Sequence, residues 1–132
     1  MDKRALIAMV AVFAAWTVLD FIIHNLILMD AYASTAHLWR PREEMKFSLI
    51  HLATAISAVV FVYVYARFFA EKNLGTGLRY GFFIGLAWGV GMGYGTYAVM
   101  PLPYALALGW FLGTLVEFIA AGLLVGLIVK EE

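Results

Sequence analysis

Apolar residues run almost unbroken through four stretches of the chain, about 5–29, 47–69, 78–99 and 104–129. Each is close to the roughly 20 residues a helix needs to cross a hydrocarbon core. Polar and turn-forming residues separate them. Open strands would leave backbone groups unpaired in lipid, and the runs are too continuous for the alternating strands of a membrane barrel. The pattern therefore predicts an all-α fold, a bundle of four transmembrane helices forming one integral membrane domain over residues 1–132.

The start, MDKR followed by ALIAMVAVFAAW, imitates a secretory signal, with a basic region, an apolar run and small residues. The apolar run continues past Trp16 to Met29, so a retained first helix is expected. The connection over 30–46 is the longest and most polar. In the next one, 71–77, glycines are expected to stop the helices. Pro101-Leu102-Pro103 is a tight uncharged turn, so the third and fourth spans should form an antiparallel hairpin. Pro41 is placed to open the second helix, with Glu43 and Glu44 at its positive dipole end and Leu38 and Trp39 as interfacial anchors before it.

An even number of spans puts both termini on one side. That side carries Lys3, Arg4, Arg67, Lys72, Arg79 and Lys130, and the other carries Arg40, Arg42 and Lys46. The excess of positive charge predicts that both termini are cytoplasmic.

Composition sharpens this picture. The chain is 64% hydrophobic and 14% charged, with a mean hydropathy of +0.89. Soluble domains are about 45–50% apolar and about 25% charged, so a water-soluble globule is excluded. The absence of Cys excludes disulfides, thiolate zinc sites, iron–sulfur clusters and covalent c-type haem. Nine Lys and Arg balance nine Asp and Glu, which leaves no basic field for a nucleic-acid partner. The expected partners are the lipid bilayer and other membrane chains.

Glycine spacing points to close helix packing. Gly81, Gly85, Gly89 and Gly93 fall four residues apart on the third span, and Tyr97 continues their line. Gly109 and Gly113 repeat the spacing on the fourth. Such a stripe lets another backbone approach closely. It serves either a homo-oligomer or larger-complex interface, or packing of the third span on the fourth, and the two uses are compatible.

Asp20, His24, His51 and Glu117 lie inside the spans. A charge at the bilayer centre costs about 2.5–3.5 kcal/mol on insertion scales, so these groups should face protein or trapped water. At about 1.5 Å of rise per residue, His24 and His51 share a level roughly 6–9 Å below the outer boundary, and Asp20 and Glu117 share a deeper one. Asp20 and His24, four residues apart, share a helix face, and Glu117 continues the Gly109–Gly113 line. Tyr94 and Tyr97 lie near the histidine level as hydrogen-bond donors. On the inner half, residues 5–15, 59–62 and 120–129 contain no charged residue, so the expected feature is a buried polar pocket that opens outward and stops near the midplane. A continuous pore would need polar lining in both halves.

Three readings of the pocket stand side by side. It sets helix register and does nothing else; or it binds a ligand; or it couples proton or metal-ion transport, as intramembrane Asp, Glu and His chains do. A ligand would be a divalent metal on His24, His51, Asp20 and Glu117, a haem b held axially by the two histidines, or a quinone headgroup. The Glu-x-x-His spacing of di-iron bundles is absent. No nucleophile constellation or phosphate loop is present. The leading expectation is a small non-catalytic membrane protein that oligomerises, or joins a larger complex as a subunit, through its glycine-lined helices. The alternative is a small metal-ion- or proton-coupled transporter.

The segments GYGTYAVMPLPYALALGWFLGTLVE and LDFIIHN resemble those of small bacterial four-helix membrane proteins of uncharacterised families, over about half the chain. The resemblance implies location in a bacterial inner membrane and brings no activity with it.

Overall fold

The computed structural model describes residues 2–131, and these are helical with no strand. Four helices are long and apolar enough to cross a membrane: α1 (Lys3–Ile27), α3 (Phe47–Phe68), α4 (Leu74–Val99) and α5 (Tyr104–Ile128). A short helix α2 (Met29–Ser34) follows α1. Both described ends lie at one end of the bundle, called the terminal end below. There the Lys72 N–H in the α3–α4 turn donates to Glu131 Oε1 over 3.1 Å.

Two helix starts differ from expectation. α4 begins at Leu74, ahead of the glycines that were expected to stop it, because the Asn73 side chain accepts from the Thr76 N–H at 2.9 Å and caps it. Pro41 does not open α3. Residues Arg42–Glu44 form a separate 3-10 turn, and α3 starts at Phe47.

The helices pack in the order α3, α1, α5, α4, with the α4–α5 pair the closest. The glycines explain that closeness. A Cβ on Gly81 would strike the Phe118 carbonyl oxygen, one on Gly93 the Ala107 carbonyl oxygen, and one on Gly85 would come within 2.7 Å of Phe118 Cβ. Lower on the same line, Gly77 meets the backbone of Gly122 and Gly126. The stripe is therefore occupied inside the chain: of the two compatible uses expected of these glycines, the packing of the third span on the fourth is the one formed here, with α5 covering their face. Gly109 and Gly113 are likewise covered by α1, where added Cβ atoms would come within 2.6 Å of Leu28 and 3.1 Å of Ile23.

The two halves of the bundle are filled differently. The terminal half is apolar and aromatic. Trp16 of α1, Phe61 of α3 and Phe118 of α5 meet with ring centroids 5.0–5.7 Å apart, and Tyr80 of α4 stacks on Phe61 at 4.3 Å. The polar edges of the buried members are satisfied: Tyr80 donates to the Phe61 carbonyl at 2.8 Å and Trp16 to the Glu117 carbonyl at 2.7 Å. In the other half, residues 29–39 fold back over the ends of α1 and α5, and Leu28, Leu102 and Leu106 are buried beneath them.

The stripe gives a direct comparison. Gly81→Ala should lower stability in detergent by about 1–3 kcal/mol, because its Cβ overlaps backbone that has no room to move. Gly91→Ala, where an added Cβ meets nothing within 4 Å, should change stability by less than about 0.5 kcal/mol. Thermal unfolding of the two variants beside the parent chain checks the pair.

Candidate functional site

The site forms where α1 stops being an α-helix. Asp20 is its last α-helical residue, and Phe21–Ile27 continue as a π-helix whose i→i+5 bonding includes Leu28 N–H to Ile23 O at 2.9 Å. α4 makes the same change at the same level, over Gly91–Gly95. Single π turns are rare and widen the local backbone. Here both border one cavity of about 60 Å³, lined by Asp20, Ile23, His24, Met92, Trp110, Gly113, Thr114 and Glu117.

Gly113 sets the distance across it. With no side chain there, Ile23 of α1 fits against the α5 backbone, and Asp20 comes to face Glu117 one turn further along. The two carboxyl residues line the same small cavity, Asp20 from α1 and Glu117 from α5. A hydrogen bond between two carboxyls needs a proton between them, because two carboxylates offer only acceptors. Glu117 Oε1 is buried and has no partner among the described residues. Among the described residues it is the one buried side-chain oxygen or nitrogen without a hydrogen-bond partner.

Above the carboxyls stands a directed chain of hydrogen bonds. Trp110 donates its indole N–H to the Tyr32 hydroxyl oxygen at 2.6 Å, and that hydroxyl lies 2.7 Å from His24 Nδ1. Indole is a donor only. The arrangement that satisfies every group has the Tyr32 O–H donating to Nδ1, which leaves the imidazole proton on Nε2, facing Asp20 Oδ1 at 3.8 Å. That gap is longer than a direct hydrogen bond and suits a water bridge. Burial holds the Tyr32 phenol above its ordinary range, with the Trp110 bond pulling the other way, so the hydroxyl keeps its proton at neutral pH. Trp39 packs edge-on against both Tyr32 and Trp110, with centroids at 5.5 and 5.9 Å, and its N–H is held by Thr35 Oγ1 at 2.9 Å. The folded-back segment thus closes the end of the cavity away from the terminal end. The Trp16–Phe61–Phe118 cluster closes the other end.

Of the four ionisable residues expected to converge, Asp20, His24 and Glu117 do so and His51 does not. His51 is exposed on α3, whose buried residues begin only at Ala58. The buried residues of α3, Ala58, Phe61, Val62 and Tyr65, all lie in the half toward the terminal end, and His51 lies in the other half. Tyr94 and Tyr97 also lie elsewhere. The Tyr94 hydroxyl pairs with that of Tyr104 at 2.9 Å, and the Tyr97 ring stands against Tyr104 with centroids 5.9 Å apart. The π turn in α4 presents Met92 to the cavity instead.

These placements narrow the ligand. No group of three or more His, Asp or Glu among the described residues is arranged to hold a metal, so the expected set of His24, His51, Asp20 and Glu117 is not assembled. The axial histidine pair for a haem is not formed either. A cavity of about 60 Å³ falls far short of the roughly 300–1,000 Å³ of pockets that bury a whole organic ligand, the class to which a haem belongs. At about 10–15 Å³ per water it takes a few waters or one small hydrated ion. Tyr32, Trp110 and Thr114 complete the site and escaped the sequence reading. Their signal was local: an aromatic with a polar edge, destined for burial, must find a partner. No protein-family model, curated protein or solved structure matches the chain.

Tyr32→Phe tests the chain of hydrogen bonds. It leaves both the Trp110 N–H and His24 Nδ1 without a partner, so stability should fall by about 1–3 kcal/mol. Residues 29–39 should become cleavable by protease at a concentration that spares the parent chain. Unchanged protease resistance would show that the network does not hold this segment.

Proposed function

We propose that the protein is a non-catalytic, proton-coupled membrane transporter of a bacterial inner membrane, with cytoplasmic termini and the Asp20–Glu117 pair as its proton carrier. The observation that carries the reading is that two carboxyl residues inside candidate membrane spans line one water-sized cavity, with the buried Glu117 Oε1 left unpartnered among the described residues. One proton satisfies the pair; a second would neutralise both groups; loss of the first would leave two like charges in contact in a low-dielectric medium. Protonation and position are therefore linked: any state in which the carboxyls separate changes what each can hold.

The surroundings support the same reading. Tyr32, His24 and Asp20 form a file of groups that each accept and donate protons, directed from the folded-back segment to the carboxyls. Thr114 adds a hydroxyl to the wall. The two π turns, Phe21–Ile27 in α1 and Gly91–Gly95 in α4, border the cavity, and such turns are found frequently at functional sites. A transport cycle needs a movement of the helices because the aromatic cluster closes the path toward the terminal end.

Proton flux into vesicles reconstituted with the purified chain and loaded with a pH-sensitive dye tests the reading. Asp20→Asn and Glu117→Gln should each reduce flux at least about tenfold, whereas Tyr97→Phe, outside the cavity, should leave it unchanged. Equal flux in the parent and both carboxyl variants would overturn the proposal.

A further inference from the structure

One chain leaves this site open on a flank. The side chains of Asp20 and His24 are 35% and 38% exposed although they lie within a membrane span. On α3, the buried residues Ala58, Phe61, Val62 and Tyr65 mark the stripe that packs on the bundle. His51 and Ala55 extend that stripe outward at helical spacing, and Thr54 and Ala55 are the half-buried positions in the outer half. At the level of His51, however, residues 47–53 of α3 are all exposed, with no helix of the described residues burying them. The same molecule thus presents an unpaired imidazole on α3 and an incompletely covered carboxylate–imidazole pair on α1, at matching depth: His51 is four residues into α3 and His24 three residues from the end of α1. Lipid tails offer neither group a partner.

We propose that the protein is a two-fold dimer in which the outer half of α3 of each copy lies against α1 of the other, so that the partner's His51 reaches Asp20 and His24 and completes the cavity. A two-fold axis requires that if α3 of one copy meets α1 of its partner, the reverse contact forms as well. Both open flanks are then covered by one contact made twice. The complementarity is chemical: an imidazole able to donate to a carboxylate faces an acidic residue that its own chain leaves partly exposed. Ser48 and Thr54 accompany His51 and add hydroxyls to an otherwise apolar contact. The glycine stripes take no part, being occupied within each chain.

This inference rests on the reading of Asp20–Glu117 as the working site, but the two fail separately. The chain has no native cysteine, so pairs can be introduced without background. A tagged chain carrying His51→Cys, co-expressed with an untagged chain carrying His24→Cys and oxidised in the membrane, should give a disulfide-linked band of two chains. The band should vanish when either position is Ser. Asn25→Cys, beside His24 and exposed, serves as a second partner position should His24→Cys fail to accumulate. The parent chain in mild detergent should have the mass of two copies. A parent particle of one chain, no cross-link with either partner position, or a disulfide formed within one chain carrying both His24→Cys and His51→Cys would overturn the dimer. A cross-linked dimer without proton flux would sink the transport reading alone, and flux without a cross-link would sink the dimer alone.

Discussion

The shared cavity that holds Asp20 of α1 and Glu117 of α5 depends on how closely α1 can approach α5. That approach is set by two residues with no side chain: Gly113, against which Ile23 is seated, and Gly109, against which Leu28 is seated. A methyl group at either would crowd the Leu28 or Ile23 side chain seated there, at 2.6 Å and 3.1 Å, and disturb the packing that frames the cavity. The α4–α5 stripe then fixes the position of α5 from its other side. With α5 held by backbone contact on two faces, the Glu117 carboxyl has a fixed address, and α1 brings the second carboxyl to it.

The site sits at a boundary between two kinds of core. Toward the terminal end, Trp16, Phe61, Phe118 and Tyr80 fill the space with rings whose polar edges are spent on backbone carbonyls, which leaves nothing for a proton or ion to follow. Toward the other end, the rings of Tyr32, Trp39 and Trp110 spend their polar edges on one another, on Thr35 and on His24. The same chemistry therefore seals one half and wires the other. Both π turns fall at this boundary, where a wider backbone makes room for a small cavity.

Length and hydropathy are properties of a run of residues, and they revealed all four spans to within a few positions. The exception, the start of α4, turned on one side chain: Asn73 caps the helix, so Gly75 and Gly77 lie inside it and Gly77 serves packing. The glycine pattern announced close contact but carried no information about which backbone would fill it. For the site, counting residues from a boundary gives depth alone. That was enough to bring Asp20, His24 and Glu117 together, because α1 and α5 touch along their length. It failed for His51 because α3 touches its neighbours only through its terminal half. Tyr32 escaped because the fold-back of 29–39 is not periodic; it arises from the need to bury Tyr32, Leu38 and Trp39 against the ends of α1 and α5.

Infrared difference spectroscopy of the membrane-embedded chain measures the central claim directly, through the carbonyl stretch of a protonated carboxyl group. At neutral pH the parent chain should show this band, shifted by hydrogen bonding, and both Glu117→Gln and Asp20→Asn should remove or displace it, since each breaks the same pair. A spectrum with no protonated carboxyl, or a band that neither substitution moves, would mean that the two acids do not share a proton.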